Sequence, residues 1–382
     1  MDDRQFDDLS RRIGDSPLSR LPRRGLIAAL GGATLASAWR LDDDADAKKK
    51  NKNKKCKKEG KGCDKKKCKK QDKKCCCNNL KCQDSVCVGK GGSCPTEVSF
   101  NNAWGSSGSG NGAFNSPFGI TIDADGYLYV TDTGNSRVQV FSANGTFQYA
   151  FGSQGNEDDE FQTPQGIAYS VDNDGNARLN IADQSQSNSN RTLRRFRLNG
   201  NFSKYMLSGM TDPVGVAADS NDRVWAVDVS SPYGIFLFNS NGDYVMSWAL
   251  GGSGALSSPQ GIAVFKDGSN TYVYVADTGN NRVVKFQYTD NSGSGLQYVT
   301  SAGSTGSGSS NFNRPTGIAV DDCGNLWVAD QINNRVQILD KNLTFKSRFT
   351  ASMNRPTGVA INEDTLYVVN QTGNKVQRFS LS

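Results

Sequence analysis

Six segments of the chain stand in register with one another, and this repetition limits the fold more than any other feature. Pro117-Phe118-Gly119-Ile120, Pro164-Gln165-Gly166-Ile167, Pro213-Val214-Gly215-Val216, Pro259-Gln260-Gly261-Ile262, Pro315-Thr316-Gly317-Ile318 and Pro356-Thr357-Gly358-Val359 each open a unit. The prolines lie 47, 49, 46, 56 and 41 residues apart. Each unit continues into a short apolar run: 128–132, 179–183, 224–228, 273–277, 326–330 and 366–370. The first five runs end in Asp132, Asp183, Asp228, Asp277 and Asp330, and the sixth ends in Asn370. A period of this length, built from several short strands, is the signature of propeller blades.

We name the strands of a unit a, b, c and d. Pro opens strand a because a first residue can spare its N–H. Asp125-Gly126 and Gly324-Asn325 turn a into b, and Asn144-Gly145 and Asn241-Gly242 turn c into d. The last unit stops after its third strand, whereas residues 98–105 read as a strand d placed before the first unit. The expected fold is therefore an all-β, six-bladed β-propeller with four-stranded blades, in which this N-terminal strand completes the last blade. Such closure removes two sheet edges that would otherwise invite aggregation.

The motif P-x-G-I-A-V-D followed by L-Y-V-A-D-T-G-N-N-R-V-x-x-F resembles the NHL repeat. Units four, five and one match it closely, for example in Val273–Asp277 and Asn281-Arg282-Val283. The resemblance covers about three quarters of the chain and implies a fold more strongly than a function.

Ahead of the propeller, assigned to 96–382, lie two further segments. Residues 1–47 read as a targeting segment. Arg23-Arg24 precedes a short apolar run, and Ala36-Ser37-Ala38 has the form of a cleavage site. The paired arginines resemble a twin-arginine signal, with Pro22 departing from that pattern. The mature chain is expected to begin near Trp39 or Lys48. Residues 48–95 are rich in lysine and cysteine. Between 48 and 90 there are eighteen basic and four acidic residues, and nine of the ten cysteines fall between Cys56 and Cys94. Without histidine or a C-x-x-C pair, a zinc site is disfavoured. Behind an export signal, dense cysteine reads as disulfides, so this segment is expected to be disordered or disulfide-stapled. Its charge suits anionic wall polymers or lipid headgroups. The tenth cysteine, Cys323, stands by itself in the propeller and its partner is left open. The expected localisation is extracellular or envelope-associated.

Histidine is absent from the chain, which excludes a histidine general base and the Ser-His-Asp triad. It also excludes the His-bound zinc of propeller lyases that the resemblance brings to mind. Calcium-dependent lactonases share the six-bladed architecture, and they supply one alternative, a gluconolactonase-like hydrolase. Asp123-Ala124-Asp125-Gly126 and Asp172-Asn173-Asp174-Gly175 resemble half a calcium loop but lack the later glutamate, and they fall where a hairpin turn is needed. Glu157-Asp158-Asp159-Glu160 reads as a solvated loop. No cofactor is expected, with calcium the weakly supported exception. The recurrent aspartates, and Arg137, Arg282 and Arg335, read as structural, because sixfold repetition suits architecture better than a unique site. RNA binding, known among NHL propellers, is disfavoured because residues 91–382 carry nineteen basic and twenty-five acidic residues.

A binding module for a protein, peptide or glycan is then the favoured function, with a monomeric chain, and a purely structural surface protein is the third reading. The candidate site rests on asymmetry. Units two and three lack the basic residue that precedes strand c elsewhere. Their b–c loops supply Gln184, Gln186, Asn188, Asn190, Arg191, Ser230, Ser231 and Tyr233 as candidate ligand contacts. Amides and hydroxyls would hydrogen-bond, and Tyr233 would stack.

Overall fold

The computed structural model describes residues 80–83, 86–89, 94–95, 97–184, 193–230, 233–289 and 295–382. The targeting segment, most of the Lys/Cys-rich segment, and residues 185–192, 231–232 and 290–294 lie outside them. Six four-stranded antiparallel sheets form the blades. Blade one runs Ile120–Ile122, Leu128–Asp132, Arg137–Phe141 and Phe147–Phe151 as strands a to d. Blade three runs Pro213–Ala218, Val224–Asp228, Gly234–Phe238 and Tyr244–Ala249. Blade five runs Pro315–Val320, Leu326–Asp330, Arg335–Leu339 and Phe345–Phe349. A separate two-stranded hairpin, Leu80–Gln83 with Val86–Gly89, places Cys82 opposite Cys87.

The ring closes as the sequence requires. Val98–Trp104 pairs antiparallel with Lys375–Leu381, Trp104 opposite Val376 and Phe100 opposite Phe379. Phe100 meets the Phe379 ring edge-on at 5.7 Å, and Trp104 packs on Phe141 and Tyr367. The closing strand therefore joins both the sheet of blade six and the apolar layer shared with blade one.

The third residue of each P-x-G motif must be glycine. A Cβ on Gly166 would lie 2.0 Å from the Val214 carbonyl oxygen of the next blade. The equivalent distances are 2.0 Å for Gly261 and 2.1 Å for Gly317. Successive inner strands thus pack backbone to backbone at a separation no side chain permits. The register shifts between Pro164 and Ile167, Pro315 and Ile318, and Pro356 and Val359, so strand a is less regular than the alternating pattern implies. Between blades, each strand-b apolar face is sealed. Trp225 and Trp327 are fully buried, as are Tyr129 and Tyr274.

The aspartate that closes strand a is consumed by the turn. Asp123 Oδ1 accepts from the amides of Asp125 and Tyr127, and Oδ2 from the Tyr129 hydroxyl. Asp321 does the same with Cys323, Asn325 and the Trp327 indole N–H. Asp172 accepts from Asp174 and Asn176. The half-calcium-loop sequences are turns, and the carboxylates of Asp123 and Asp172 are occupied by turn donors.

Candidate functional site

Antiparallel strands put the b–c and d–a loops on one face of the ring. The carboxylate ending strand b organises this face. Asp132 Oδ1 accepts from Asn115 N at 2.7 Å, Asp277 from Ser257 N at 2.7 Å and Asp330 from Asn313 N at 2.8 Å. The other oxygen takes the guanidinium before strand c: Arg137 at 2.8 Å, Arg282 at 2.7 Å and Arg335 at 2.7 Å. In blades one and five a glutamine two residues on, Gln139 or Gln337, donates to the same carboxylate and to a d–a carbonyl. Each d–a loop is thereby clasped to its own blade, which is the structural role expected of these residues.

Blade two replaces the clasp. Arg194 stands opposite Ile181, where Gln139 stands opposite Val130 in blade one. From there it reaches Asp183 at 3.0 Å, the two side chains almost fully buried, and donates to the carbonyls of Glu157 and Glu160. Burial pushes the Asp183 carboxyl up, against the opposing pull of Arg194. Glu157, Asp158 and Asp159 are exposed, so their loop is solvated while its backbone wraps the buried guanidinium.

Blade three keeps the carboxylate without a cation. Asp228 faces Gly234 where blades one, four and five carry arginine. It accepts from the amides of Thr211, Asp212 and Ser230 at 2.8, 3.3 and 2.8 Å. Burial, with the nearby Asp212 charge adding to it, raises its pKa above the usual carboxylate range. Blade six instead has Asn370, whose side chain accepts from Asn354 N and donates to Gln377.

The predicted contacts fall as follows. Gln184 is half-buried and its side-chain oxygen accepts from Gln165 at 2.7 Å. Ser230 donates its hydroxyl to Asp212. Tyr233 is half-buried and packs against the Trp225–Val227–Ile235 core. Gln186, Asn188, Asn190, Arg191 and Ser231 lie outside the described residues. Gln184 and Ser230 are thus brought onto the same face, each already engaged in hydrogen bonds.

Several working residues were missed. Phe114, Phe161 and Phe312 are fully buried in the d–a loops and bridge to Ser107, Gln154 and Thr305. Their signal was present: each lies nine residues after Gly105, Gly152 or Gly303 and three before the unit's proline. Asn281, Asn334 and Asn374 sit at φ 53, 52 and 47°, a left-handed region that asparagine tolerates. Their side-chain oxygens accept from Arg314, Arg355 and Ser116 amides, each in the next blade, at 2.8 Å. Cys323 forms a disulfide with Cys94, 229 residues away. It ties the segment before the closing strand to the a–b turn of blade five.

The axial channel is narrow. Its cavity is about 60 Å³, and Ile120, Ile167, Val216, Ile262, Ile318 and Val359 line it, one from each blade. Gln260 and Thr357 supply its polar side chains, and no carboxylate lines it. Among the described residues no three acidic or cysteine side chains gather as a metal site.

Fold, repeat and clasp define an NHL-repeat β-propeller protein. The NHL repeat model matches residues 114–141, and that of the SMP-30/gluconolactonase/LRE-like region matches 252–372. NHL repeat-containing protein 3 of Mus musculus is 33% identical over 132 residues, spanning 31% of this chain and 35% of that protein. Protein brain tumor of Drosophila melanogaster is 27% identical over 133 residues, 35% of this chain and 12% of that protein. The chain thus spans about a third or less of the length of these two relatives. Among solved structures, the calcium-binding protein regucalcin from Agrobacterium tumefaciens superposes with a TM-score of 0.52 at 14% identity, over 74% of this chain and 94% of that one. This last likeness is one of fold.

Proposed function

We propose that the protein is an exported interaction module whose propeller engages a protein, peptide or glycan through the face carrying the b–c and d–a loops. The observation that carries this reading is how the recurrent polar residues are spent. The strand-b carboxylates, with arginine, glutamine or backbone amides, hold loops in place, and the asparagines staple neighbouring blades. What remains variable is a surface of loops on a rigid scaffold, which suits recognition. Kinship with NHL-repeat proteins supports a protein as the partner. Export is supported by the paired arginines and the apolar run, and the Cys94–Cys323 disulfide suits an oxidising compartment. The lysine-rich segment would add attraction to anionic envelope surfaces. Affinity capture from native envelope with the exported chain tests the reading. A partner retained by the chain and lost when the loop face is altered is expected, and no specific capture would leave a structural surface protein. N-terminal sequencing tests export, with a start near Trp39 or Lys48 expected and intact Met1 overturning it.

The match to the gluconolactonase-like region favours a calcium-dependent hydrolase as the second reading. The donor set does not fit: the channel lining offers glycine, aliphatic side chains, Phe118, one amide and one hydroxyl. No catalytic step is derived. Calorimetric titration with calcium, with and without lactones, discriminates this reading, which predicts saturable heat.

A further inference from the structure

Charge is divided unevenly over the loop face. The d–a loops at 152–163 and 206–212 carry Glu157, Asp158, Asp159, Glu160 and Asp212. The d–a loops at 249–260, 302–314, 350–355 and 105–119, and the b–c loops at 133–136, 278–281, 331–334 and 371–374, contain no acidic residue. Blades five and six add cations to this acid-free region. Arg314 and Arg355, directly before the prolines of these blades, are exposed. Lys375 precedes strand c of blade six, where the usual aspartate is Asn370, so its ordinary partner is gone.

The backbone of the two arginines shows that they are not incidental. Arg314 and Arg355 lie at φ 56 and 50°, a left-handed conformation uncommon for a long side chain. At the same position blades one and four carry Ser116 and Ser258, at φ 51 and 45°. Serine therefore satisfies the architecture, and nothing local rewards arginine. Arg314 Nε makes one long hydrogen bond, 3.3 Å to Gln331. Among the described residues the Arg355 guanidinium has no partner. The two positions are joined through one network: Gln331 N donates to Arg314 O, the Gln331 amide donates to Gln371, and Gln371 N donates to Arg355 O. Exposed charge with no acidic partner among the described residues, on strained backbone at two adjacent blades, is the pattern of a site that keeps its cations for a ligand.

We infer that blades five and six bind an acidic peptide segment of another protein, Arg314 and Arg355 each taking a carboxylate and Lys375 adding attraction. This rests on the interaction reading above and names the surface and partner chemistry. A single-stranded nucleic acid or a sugar would call for exposed aromatic rings to stack on. Among the described residues the exposed aromatic rings, Phe100, Tyr244 and Tyr298, lie on the outer strands instead. The acidic loop across the ring also repels a long polyanion while leaving room for a short segment.

The test uses the full chain and a fluorescein-labelled decapeptide of alternating glutamate and serine, read by anisotropy. Arg314→Ser with Arg355→Ser should weaken binding about tenfold or more and flatten its salt dependence. Its melting temperature should not fall, because serine already occupies this backbone in blades one and four. Equal affinity in the double variant overturns the site, as does tighter binding of a ten-nucleotide RNA than of the peptide. Sedimentation showing self-association that Glu157→Gln with Asp159→Asn abolishes would make the acidic segment a second copy and overturn the separate partner. Envelope capture is run in parallel. A partner kept by the double variant leaves the interaction reading intact and removes this site from it, whereas no capture by the native chain fails that reading first.

Discussion

Blades five and three carry the same carboxylate in opposite circumstances. In blade five, Asp330 is fully buried and held by Arg335, Gln337, Asn333 and the Asn313 amide. In blade three, Asp228 is as deeply placed and has only backbone amides, because glycine stands where the arginine would be. Both hold their loop. A buried carboxylate therefore needs hydrogen-bond donors to do this work, and the cation is a separate contribution whose removal after the fact is costly.

Breaking the clasp in blade five should have the largest effect. Arg335→Met leaves Asp330 buried without its countercharge, held only by Gln337, Asn333 and the Asn313 amide, and should cost about 3–5 kcal/mol in denaturant unfolding. Asp330→Asn with Arg335→Met together should recover much of that loss, since blade six works with Asn370. Arg194→Gln in blade two should cost nearly as much, because Arg194 serves both Asp183 and the 157–160 loop. A loss under about 1 kcal/mol would show that the backbone amides suffice there too.

Supplying blade three with the missing cation should act the other way. A Cβ at Gly234 would sit 3.1 Å from the Phe236 ring and 3.3 Å from Trp248 O, tight contacts that these neighbours must ease. Gly234→Arg should lower the Asp228 pKa, read by carboxyl-carbon NMR titration, while the ion pair's gain of about 1 kcal/mol is offset in part by that adjustment. An unshifted titration would mean that the guanidinium does not reach the carboxylate.

A similarly small effect is expected of Asp228→Asn, about 1 kcal/mol at neutral pH, because it keeps one of the two oxygens that accept from the loop amides and sheds a charge that burial disfavours. Its sign follows from the raised folded-state pKa. The folded protein binds this proton more tightly than the unfolded chain, so ionisation destabilises as pH rises through the window between the two values. The variant should thus be at its most favourable relative to the native chain near pH 7, and that margin should shrink as pH falls through the raised pKa to the unfolded value. A margin that grows on acidification would reverse the assignment.

Blade number, strand order and ring closure were legible in the sequence because they rest on local chemistry repeated six times. Proline at a strand start, the Asx turns of Asp123 and Asp321, and alternating apolar residues each act within a few positions of chain. The candidate site was less legible. The b–c loops of blades two and three did depart from the pattern, yet Gln184 and Ser230 are tied into the architecture and Tyr233 leans on the core. The absence of an arginine before strand c in blade two concealed Arg194, which does the same work from a different register. That substitution is visible only once strand pairing shows which side chains face Asp183.

The sequence by itself determined a closed ring of six four-stranded blades, and it did so because a period of two within strands and of about 48 between them admits few other arrangements. Tertiary structure alone decided which side chains bind the blades together: glycine where the next blade's carbonyl arrives at 2.0 Å, asparagine reaching across to a neighbouring amide, and Cys94 meeting Cys323 across 229 residues. It also decided which cations stay unpaired. Arg335 is folded onto a buried aspartate, whereas Arg355 is left in solvent. The physical reason is distance: the contacts between blades and the disulfide join residues far apart along the chain, and only the packing of blade on blade brings them within reach.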